Sequence, residues 1–338
     1  MGKRMTAMRI MVAVCVMALL AGCGSKAAEP APTADAQTEP ATTADTQAEP
    51  ANDVVAITDS LGRELELQKN PQRVACMIGS FADVWCLAGG RDTVVAAAND
   101  SWTQFQLDFD ESVANLGSIS EPSVETLLSA QPDLVIASSK TKSNLELQTT
   151  LEKAGIPLVY FNISTLDDYL AMLDVCTQLT GAAENYKTYG EDVLARAQAA
   201  LQRVPEGAEA PTVLYIRATG SSVKVKNSKD NVLGEMLADL GCENIADREA
   251  ALLENLSMET IVMQDPDYIF VVFQGTDTTG AEENFQSAVL SNPAWNTLTA
   301  VNEGRYFVMS QRLYNVKPNA LWGEAYEKLA DILYPETK

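Results

Sequence analysis

The sequence predicts an α/β fold of two Rossmann-like lobes with mostly parallel sheets, joined by a single long backbone helix. Three observations support this prediction. The segment SVETLLSAQPDLVIA (residues 123–137, the first repeat) returns as SMETIVMQDPDYIFV (residues 257–271, the second repeat), with Ser, Glu, Thr, Pro and Asp identical in register. Short apolar runs alternate with helical patterns around both repeats. An amphipathic stretch, 182–204, lies between the two halves.

The N-terminus has the pattern of a targeting segment. Lys3, Arg4 and Arg9 precede an apolar run that is too short for a stable membrane span and that ends in Leu20-Ala21-Gly22-Cys23. This ending resembles the lipobox of bacterial lipoproteins, which implies a signal peptide over residues 1–22 and lipid attached to Cys23. The alternative is an ordinary secretory signal followed by a chance cysteine.

Residues 23–52 are predicted to be a disordered tether behind the lipidated cysteine. They consist almost entirely of Ala, Thr, Glu, Pro, Asp and Gln, so burial cannot offset the conformational entropy of the chain. A flexible segment of this length holds a folded body roughly 30 Å from its anchor. The prediction is a body that works at the outer face of a bacterial cytoplasmic membrane.

The first lobe is predicted over residues 53–180. Its strands are expected at residues 73–78, 93–98, 133–137 and 156–161. Its helices are expected to begin near residues 81, 123, 147 and 167. In the first repeat, Ser123 is placed to cap a helix that Pro132 ends, and the apolar run after Asp133 is typical of a parallel strand.

The second lobe, 206–338, repeats this order. Strands are expected at 212–218, 267–273 and 305–309, with a helix over 231–240 that ends at Gly241. Between the lobes, apolar residues spaced three and four apart predict a helix over 182–204, within an interlobe segment of 181–205. At 1.5 Å per residue such a helix is about 35 Å long, enough to pass from one lobe to the other.

Composition excludes several function classes. The formal net charge is −22, or −25 without residues 1–22, which excludes the basic footprint of a nucleic-acid-binding protein. The chain has no histidine, which removes His-dependent hydrolases and the commonest zinc ligand. No cluster of Asp and Glu has metal-ligand spacing, so a bare metal ion held by the protein is not expected. Cys76, Cys86, Cys176 and Cys242 have no CxxC spacing, which favours buried free thiols and leaves one disulfide as the alternative.

Taken together, these segments resemble class III solute-binding proteins of ABC importers, the family that binds ferric siderophores, haem and cobalamin. The opening ITDSLGRELELQKNPQRVACM resembles the family's first hairpin, EPSVETLLSAQPDLVIA its most recognisable segment, and the long helix its rigid connector. The resemblance implies a monomer that takes a small metal chelate between two lobes and passes it to a permease dimer with its ATPase. It implies no enzymatic activity and no cofactor. It also implies that the rigid connector limits lobe closure to a few degrees.

Ligand-binding residues are predicted in the loops after the strands, because ligands of open α/β sheets lie outside the strands' carboxyl ends. Three aromatic side chains (Trp102, Phe273, Tyr314) and three cations (Lys140, Arg217, Arg312) suggest a flat, partly aromatic, anionic ligand. The full predicted set is Ser80, Phe81, Asn99, Trp102, Ser120, Ser139, Lys140, Arg217, Phe273, Gln274, Arg312, Tyr314 and Trp322. Lys226 and Lys229 are expected to be exposed turn residues.

Among ligands, a ferric siderophore is expected first, haem second and cobalamin third, because a preformed chelate needs no ligand from the protein. Two other functions remain open. One is a surface sensor or scavenger that hands nothing to a permease. The other is a hydrolase, although GxSxG, GxGxxG and P-loop motifs are all absent from the sequence.

The repeated glutamates, Glu125 and Glu259, have two explanations. In the family that the chain resembles, each lobe offers a surface glutamate to one half of a two-fold symmetric permease, and these two residues match by position. Alternatively, both acids simply favour the positive end of a helix, at about 0.3–1 kcal/mol each.

Overall fold

Two open sheets, one in each half of the chain, form the framework of the protein. The structure, a computed structural model, describes residues 53–275 and 277–335. The predicted signal peptide (1–22), the lipidation site Cys23 and the predicted tether (23–52) lie outside this range. All described residues belong to one compact unit, and the lobe boundaries at 180 and 206 remain predictions.

The first sheet is entirely parallel, with the strand order β5-β4-β3-β8-β9. The chain moves from β3 to one side, through β4 and β5, and then returns to the other side of β3 with β8 and β9. A topological switch point therefore lies beside β3. Two small antiparallel pairs, β1-β2 and β6-β7, flank this sheet. The strands of the first half are β1 (Val54–Thr58), β2 (Glu64–Gln68), β3 (Val74–Cys76), β4 (Val94–Ala97), β5 (Ala114–Asn115), β6 (Gly117–Ser118), β7 (Glu121–Pro122), β8 (Leu134–Ser138) and β9 (Leu158–Phe161).

The second sheet has the order β11-β10-β13-β14, with β12 also paired to β10, and only β11 runs antiparallel. The predicted mostly parallel α/β class is thus confirmed. One prediction is wrong here: Lys226 does not lie in a turn but on β11, in the same strand as Lys224, which pairs with Arg217 of β10. The strands are β10 (Thr212–Ala218), β11 (Val223–Lys226), β12 (Glu243–Asn244), β13 (Tyr268–Phe273) and β14 (Tyr306–Met309).

Helices cover both faces of each sheet. The α-helices are α1 (Gly79–Leu87), α2 (Asp100–Thr103), α3 (Val124–Ser129), α4 (Lys142–Glu146), α5 (Gln148–Ala154), α6 (Leu166–Thr180), α7 (Ala183–Tyr186), α8 (Asp192–Leu201), α9 (Val232–Asp239), α10 (Ile245–Arg248), α11 (Ala251–Glu254), α12 (Met258–Gln264), α13 (Thr279–Phe285), α14 (Thr299–Asn302), α15 (Gln311–Tyr314) and α16 (Trp322–Leu333).

The core follows the two-residue period of the strands. In β3, Val74 and Cys76 join a large apolar cluster shared by both halves, whereas Ala75 packs into a cluster on the opposite face of the first sheet. In β10, Tyr215 belongs to the shared cluster and Leu214 to one on the opposite face of the second sheet. Alternate side chains of one strand therefore fill different cores, which explains why these strands are apolar at consecutive positions.

The repeated serines cap two equivalent helices. The Ser123 hydroxyl accepts a hydrogen bond from the Thr126 backbone N–H at 3.2 Å, at the start of α3. The Ser257 hydroxyl accepts the equivalent bond from Thr260 at 3.3 Å, at the start of α12. In each case the threonine hydroxyl also bonds the serine hydroxyl. The repeated Ser and Thr thus have the same local role in both halves.

The repeated aspartates fasten neighbouring strands. The Asp133 carboxylate accepts hydrogen bonds from the backbone N–H groups of Gln72 (2.8 Å) and Arg73 (3.0 Å), immediately before β3. The Asp267 carboxylate accepts one from the Thr212 N–H at 2.8 Å, at the start of β10. Each aspartate therefore satisfies backbone donors where a parallel strand begins.

The connecting segment differs from the prediction of one α-helix over 182–204. Helical residues run from Ala183 to Leu201, but a π-turn (Lys187–Glu191) separates α7 from α8. The segment is therefore shorter than expected and contains one wide turn, which sequence periodicity alone does not reveal.

The C-terminal helix, α16, packs along α8 and was not predicted. A Cβ atom at Gly323 would lie 2.7 Å from the Arg196 Cβ atom, so the two helices approach closely only because residue 323 is glycine. The Arg196 guanidinium also pairs with Glu327 at 2.6 Å. The second half thereby supports the α8 part of the connector.

The four cysteines of the body, Cys76, Cys86, Cys176 and Cys242, are free thiols. Burial is the largest cause that raises the pKa of each, to about 12 for Cys86 and Cys242. Of the two alternatives, the structure has free thiols and no disulfide among these four, with Cys76, Cys176 and Cys242 buried and Cys86 half-buried. Separately, no helix within 53–275 or 277–335 is long and apolar enough to cross a membrane.

Candidate ligand-binding site

A cavity of about 400 Å³ opens at the carboxyl ends of β3, β8 and β9, beside the switch point of the first sheet. Asp230, from the loop after β11, and Lys317, from the loop after α15, close it from the second half. The cavity is therefore an interlobe site at the place where open α/β sheets bind ligands. Its lining consists of Ile78, Ser80, Phe81, Ser138, Lys140, Thr141, Asn162, Ile163, Ser164, Asp230 and Lys317.

The start of α1 positions Ser80 and Phe81 at the cavity. Gly79, the first residue of α1, donates its backbone N–H to the Asp100 carboxylate at 2.9 Å, which replaces a side-chain cap. A Cβ atom at residue 79 would lie 2.5 Å from the Ser101 nitrogen, so only glycine fits this contact. Burial raises the pKa of Asp100, and the Gly79 N–H acts to lower it.

Several polar side chains of the cavity have no partner. The Ser138 hydroxyl is used, because it accepts a hydrogen bond from the Lys140 backbone N–H at 3.1 Å. In contrast, the side chains of Ser80, Lys140, Thr141, Asn162, Ser164 and Lys317 make no hydrogen bond or ion pair to any residue of 53–275 or 277–335. Donors and acceptors that converge on a cavity without partners are available to a ligand.

Lys317 is the one cation among the eight lining residues that the sequence did not predict, which are Ile78, Ser138, Thr141, Asn162, Ile163, Ser164, Asp230 and Lys317. Its side chain is half-buried, and burial lowers the pKa of its amine to about 8, with Asp168 acting in the opposite direction. The strand-end rule could have found Lys317, since it lies three residues after Tyr314 in the loop that follows the last strand. The predicted set took Arg312 and Tyr314 from this segment but not Lys317.

Arg312 connects the halves instead of lining the cavity. Its guanidinium lies 3.3 Å from the Asp83 carboxylate of α1 and donates to the Lys317 carbonyl at 2.6 Å. The guanidinium also lies 4.6 Å from the centre of the Phe105 ring. Arg312 therefore orders the loop that carries Lys317, and it is not free to clamp a ligand.

Asn319 strengthens the same contact between the halves. It is fully buried and donates to the Asp83 carboxylate (2.8 Å) and to the Ser80 carbonyl (2.9 Å). Burial raises the pKa of Asp83, and Asn319 and Arg312 act to lower it. A second contact lies further along the cleft, where the Gln311 amide donates to the Gln104 side chain at 2.8 Å.

Three other predicted residues lie at the carboxyl ends of strands β10 and β13 of the second sheet but do not line the cavity. Arg217 is half-buried and donates to the Asn315 side chain at 3.2 Å. Phe273 packs edge-on against Phe285, with 5.7 Å between ring centres. Gln274 is exposed.

Four predicted residues of the first half also do not line the cavity. Trp102 is half-buried and packs edge-on against a phenylalanine, Phe109, with ring centres 5.7 Å apart. Asn99 and Ser120 are exposed; the Asn99 side chain accepts a hydrogen bond from the Asn115 amide of β5, and Ser120 bonds to the nearby Ser118 hydroxyl. Ser139 bonds to the carbonyl of the last residue of β9. Of the thirteen predicted residues, the cavity brings together Ser80, Phe81 and Lys140.

Tyr314 and Trp322 are corrections to the predicted set. Tyr314 is 2% exposed and donates its hydroxyl to the Ala325 carbonyl at 3.0 Å, and Trp322 is fully buried at the start of α16. Both belong to the core under α16, which the sequence did not predict, so neither side chain can contact a ligand in this conformation. Separately, no three acidic, cysteine or histidine side chains within the described ranges are grouped to hold a metal ion.

Known proteins share this architecture. The profile of the periplasmic binding protein family matches residues 74–313. The iron-uptake system-binding protein of Bacillus subtilis (strain 168) is 23% identical over 223 residues, which cover 66% of this chain and 67% of the relative. An uncharacterized ABC transporter substrate-binding lipoprotein of the same strain, YvrC, is 22% identical over 333 residues and 94% of each chain. The apo periplasmic heme-binding protein RhuT of Roseiflexus sp. RS-1 has a TM-score of 0.62 at 19% identity, covering 78% of this chain and 98% of RhuT.

The family match settles the broad class of the protein. Members of this family are binding proteins that deliver substrates to ABC transporter permeases, and they carry ligands, not cofactors. The prediction that the chain is not an enzyme is therefore confirmed. The chain belongs to the periplasmic binding protein family, as a class III solute-binding protein.

Proposed function

We propose that the protein captures a metal chelate outside the cytoplasm, in the cavity between its halves, and delivers it to an ABC permease dimer. The observation that carries the proposal is the cavity at the switch point, lined from both halves by polar side chains of which most have no partner among the described residues. A ferric siderophore is the first choice of ligand, haem the second and cobalamin the third.

Anchoring to the membrane is part of the proposal. The string Leu20-Ala21-Gly22-Cys23 and the long polar segment behind it support lipid attachment at Cys23. The relative YvrC, which carries lipoprotein in its name, aligns over 94% of this chain. An anchored, tethered body would collect ligand at the outer face of the cytoplasmic membrane and stay near its permease.

Delivery is assigned to Glu125 and Glu259. In each repeat the serine and threonine cap a helix and the aspartate fastens a strand, whereas the glutamate is exposed and makes no ion pair or hydrogen bond within the described ranges. Local structure therefore explains the other repeated polar residues and leaves the two acids free. A two-fold symmetric permease that presents cations would need the same contact offered once by each half.

Ligand capture is tested by titrating the purified protein with ferric siderophores, haemin and cyanocobalamin, followed by calorimetry and by the fluorescence of Trp102. We expect one chelate class to bind with a 1:1 stoichiometry. If no member of the panel binds below about 10 μM, the capture function is refuted.

Delivery is tested with the double variant Glu125→Lys, Glu259→Lys in cells that take up the chelate identified by that titration. Uptake is expected to fall at least tenfold, while ligand affinity and thermal stability stay unchanged, because neither acid contacts the cavity or the core. The matched control reverses one exposed acid in each half outside the repeats, Glu111→Lys and Glu283→Lys. Normal uptake by the Glu125→Lys, Glu259→Lys variant would show that the two acids do not contact the permease. An equal loss of uptake in the control variant would show the same.

A further inference from the structure

Two ammonium groups face the cavity from opposite halves of the protein. Lys140 follows β8 in the first half, and Lys317 lies in the loop after α15 in the second. Neither amine has an acid within ion-pair distance among the described residues. A ligand that bridges the halves would therefore contact one cation on each side.

The charged groups around Lys317 favour an anion. Lys140 and Asp230 share its cavity, Asp168 of α6 acts on it through space, and the Arg312 guanidinium holds its carbonyl. Asp83 already pairs with Arg312. The cavity lining itself thus carries one more cation than acid, in a protein whose overall charge is strongly negative.

The rest of the lining does not suit a flat aromatic ligand. Phe81 is the one aromatic residue of the lining, and it is 2% exposed, so it offers no open ring face. Trp102 and Phe273 pack against other rings outside the cavity. The remaining polar groups are hydroxyls and one amide, which recognise oxygen atoms. A volume of about 400 Å³ lies toward the small end of the range for ligand pockets.

We infer that the cavity takes a compact chelate whose negative charge is carried by carboxylate oxygens, held between Lys140 and Lys317, and that Lys317 sets this selectivity. The inference rests on the proposed capture function and narrows its ligand class. An ammonium binds oxygen anions as a point charge, and a poorly solvated ammonium gains more from such a contact than an exposed one. The expected loss on neutralising Lys317 therefore exceeds the loss on neutralising Lys140.

The test is calorimetric titration of the purified protein with ferric citrate as the carboxylate probe, beside an uncharged ferric hydroxamate, haemin and cyanocobalamin. Ferric citrate is expected to bind most tightly. Lys317→Met is expected to weaken it at least tenfold, Lys317→Arg to retain affinity within about threefold, and the exposed Lys153→Met, remote from the cavity, to change nothing.

A pH series gives a readout that a loss of packing would not reproduce. The affinity of the wild type for ferric citrate should decline between pH 7 and pH 9, as the Lys317 amine loses its proton, whereas Lys317→Arg should keep its affinity over this range. Preferred binding of the hydroxamate, haemin or cyanocobalamin, with Lys317→Met unaffected, would overturn the inference and leave chelate capture intact. Failure of every chelate to bind would overturn both.

Discussion

Replacing Lys317 with methionine should stabilise the ligand-free protein, although the same change weakens ligand binding. Burial lowers the pKa of this amine from 10.5 to about 8, so the folded state disfavours its charged form. At about 1.4 kcal/mol per pH unit, the cost of holding the ammonium in the fold is at most roughly 3 kcal/mol. Because the side chain is only half-buried, solvent screening reduces this to about 1–2 kcal/mol. Methionine keeps the apolar stem and removes the charge.

The sign of the pH dependence follows from the two pKa values. Between pH 8 and 10.5 the unfolded chain binds more protons at Lys317 than the folded chain does, so wild-type stability gains on the variant as pH rises. The advantage of Lys317→Met should therefore be complete below pH 8 and nearly gone above pH 10.5. In a protein of this size it corresponds to a rise in melting temperature of about 2–3 °C at pH 7.

The assay is urea unfolding of both proteins at pH 7.0 and 9.5, followed by circular dichroism, with Lys140→Met as the matched control. Lys140 is the exposed lysine of the same cavity, so its replacement should leave the free energy of unfolding within about 0.5 kcal/mol of wild type. A Lys317→Met variant that is no more stable at pH 7 would refute the reasoning. So would an advantage that does not shrink at pH 9.5.

Two further predictions concern contacts that hold the fold. Asn319→Ala should lower the free energy of unfolding by about 2–4 kcal/mol in urea denaturation. The reason is that the buried Ser80 carbonyl and the Asp83 carboxylate lose their shared donor, at a residue whose φ is 55°. A loss below 1 kcal/mol would contradict this prediction. Ser123→Ala and Ser257→Ala should each cost about 1 kcal/mol by the same assay, and the double variant about 2, since the two capped helices lie in different halves. A coupling energy well above 0.5 kcal/mol would show that the caps are not independent.

The elements that the sequence predicted well are those set by local pattern. The strand over Thr212–Ala218 has the predicted bounds, and the helices that begin after Ser123 and Asn231 start where these residues cap them. Apolar runs, caps and helix-ending glycines act over a few residues, so they can be read without knowing the fold. The C-terminal helix α16 was not predicted, although its buried residues recur at spacings of three and four.

The candidate site could be predicted only to the level of its loops. The strand-end rule selected three residues of the first half that line the cavity, Ser80, Phe81 and Lys140, but none of those that line it from the second half. It could not distinguish Arg312 from Lys317. The Arg312 guanidinium is taken by Asp83, from a segment more than 200 residues away, whereas the Lys317 amine has no partner within 53–275 or 277–335. Which of these two cations faces the cavity depends on contacts between loops of the two halves. No short-range sequence pattern predicts those contacts.

The sequence by itself determined the α/β class, the duplicated units and the capped helices, because each follows from the period of apolar residues and from hydrogen bonds between near neighbours. The tertiary structure alone decided that Trp322 and Tyr314 belong to the core, that Arg312 joins the halves and that Lys317 enters the cavity. These outcomes depend on side chains that meet across the interface of two separately built sheets, where burial and pairing are settled by packing over long sequence distances.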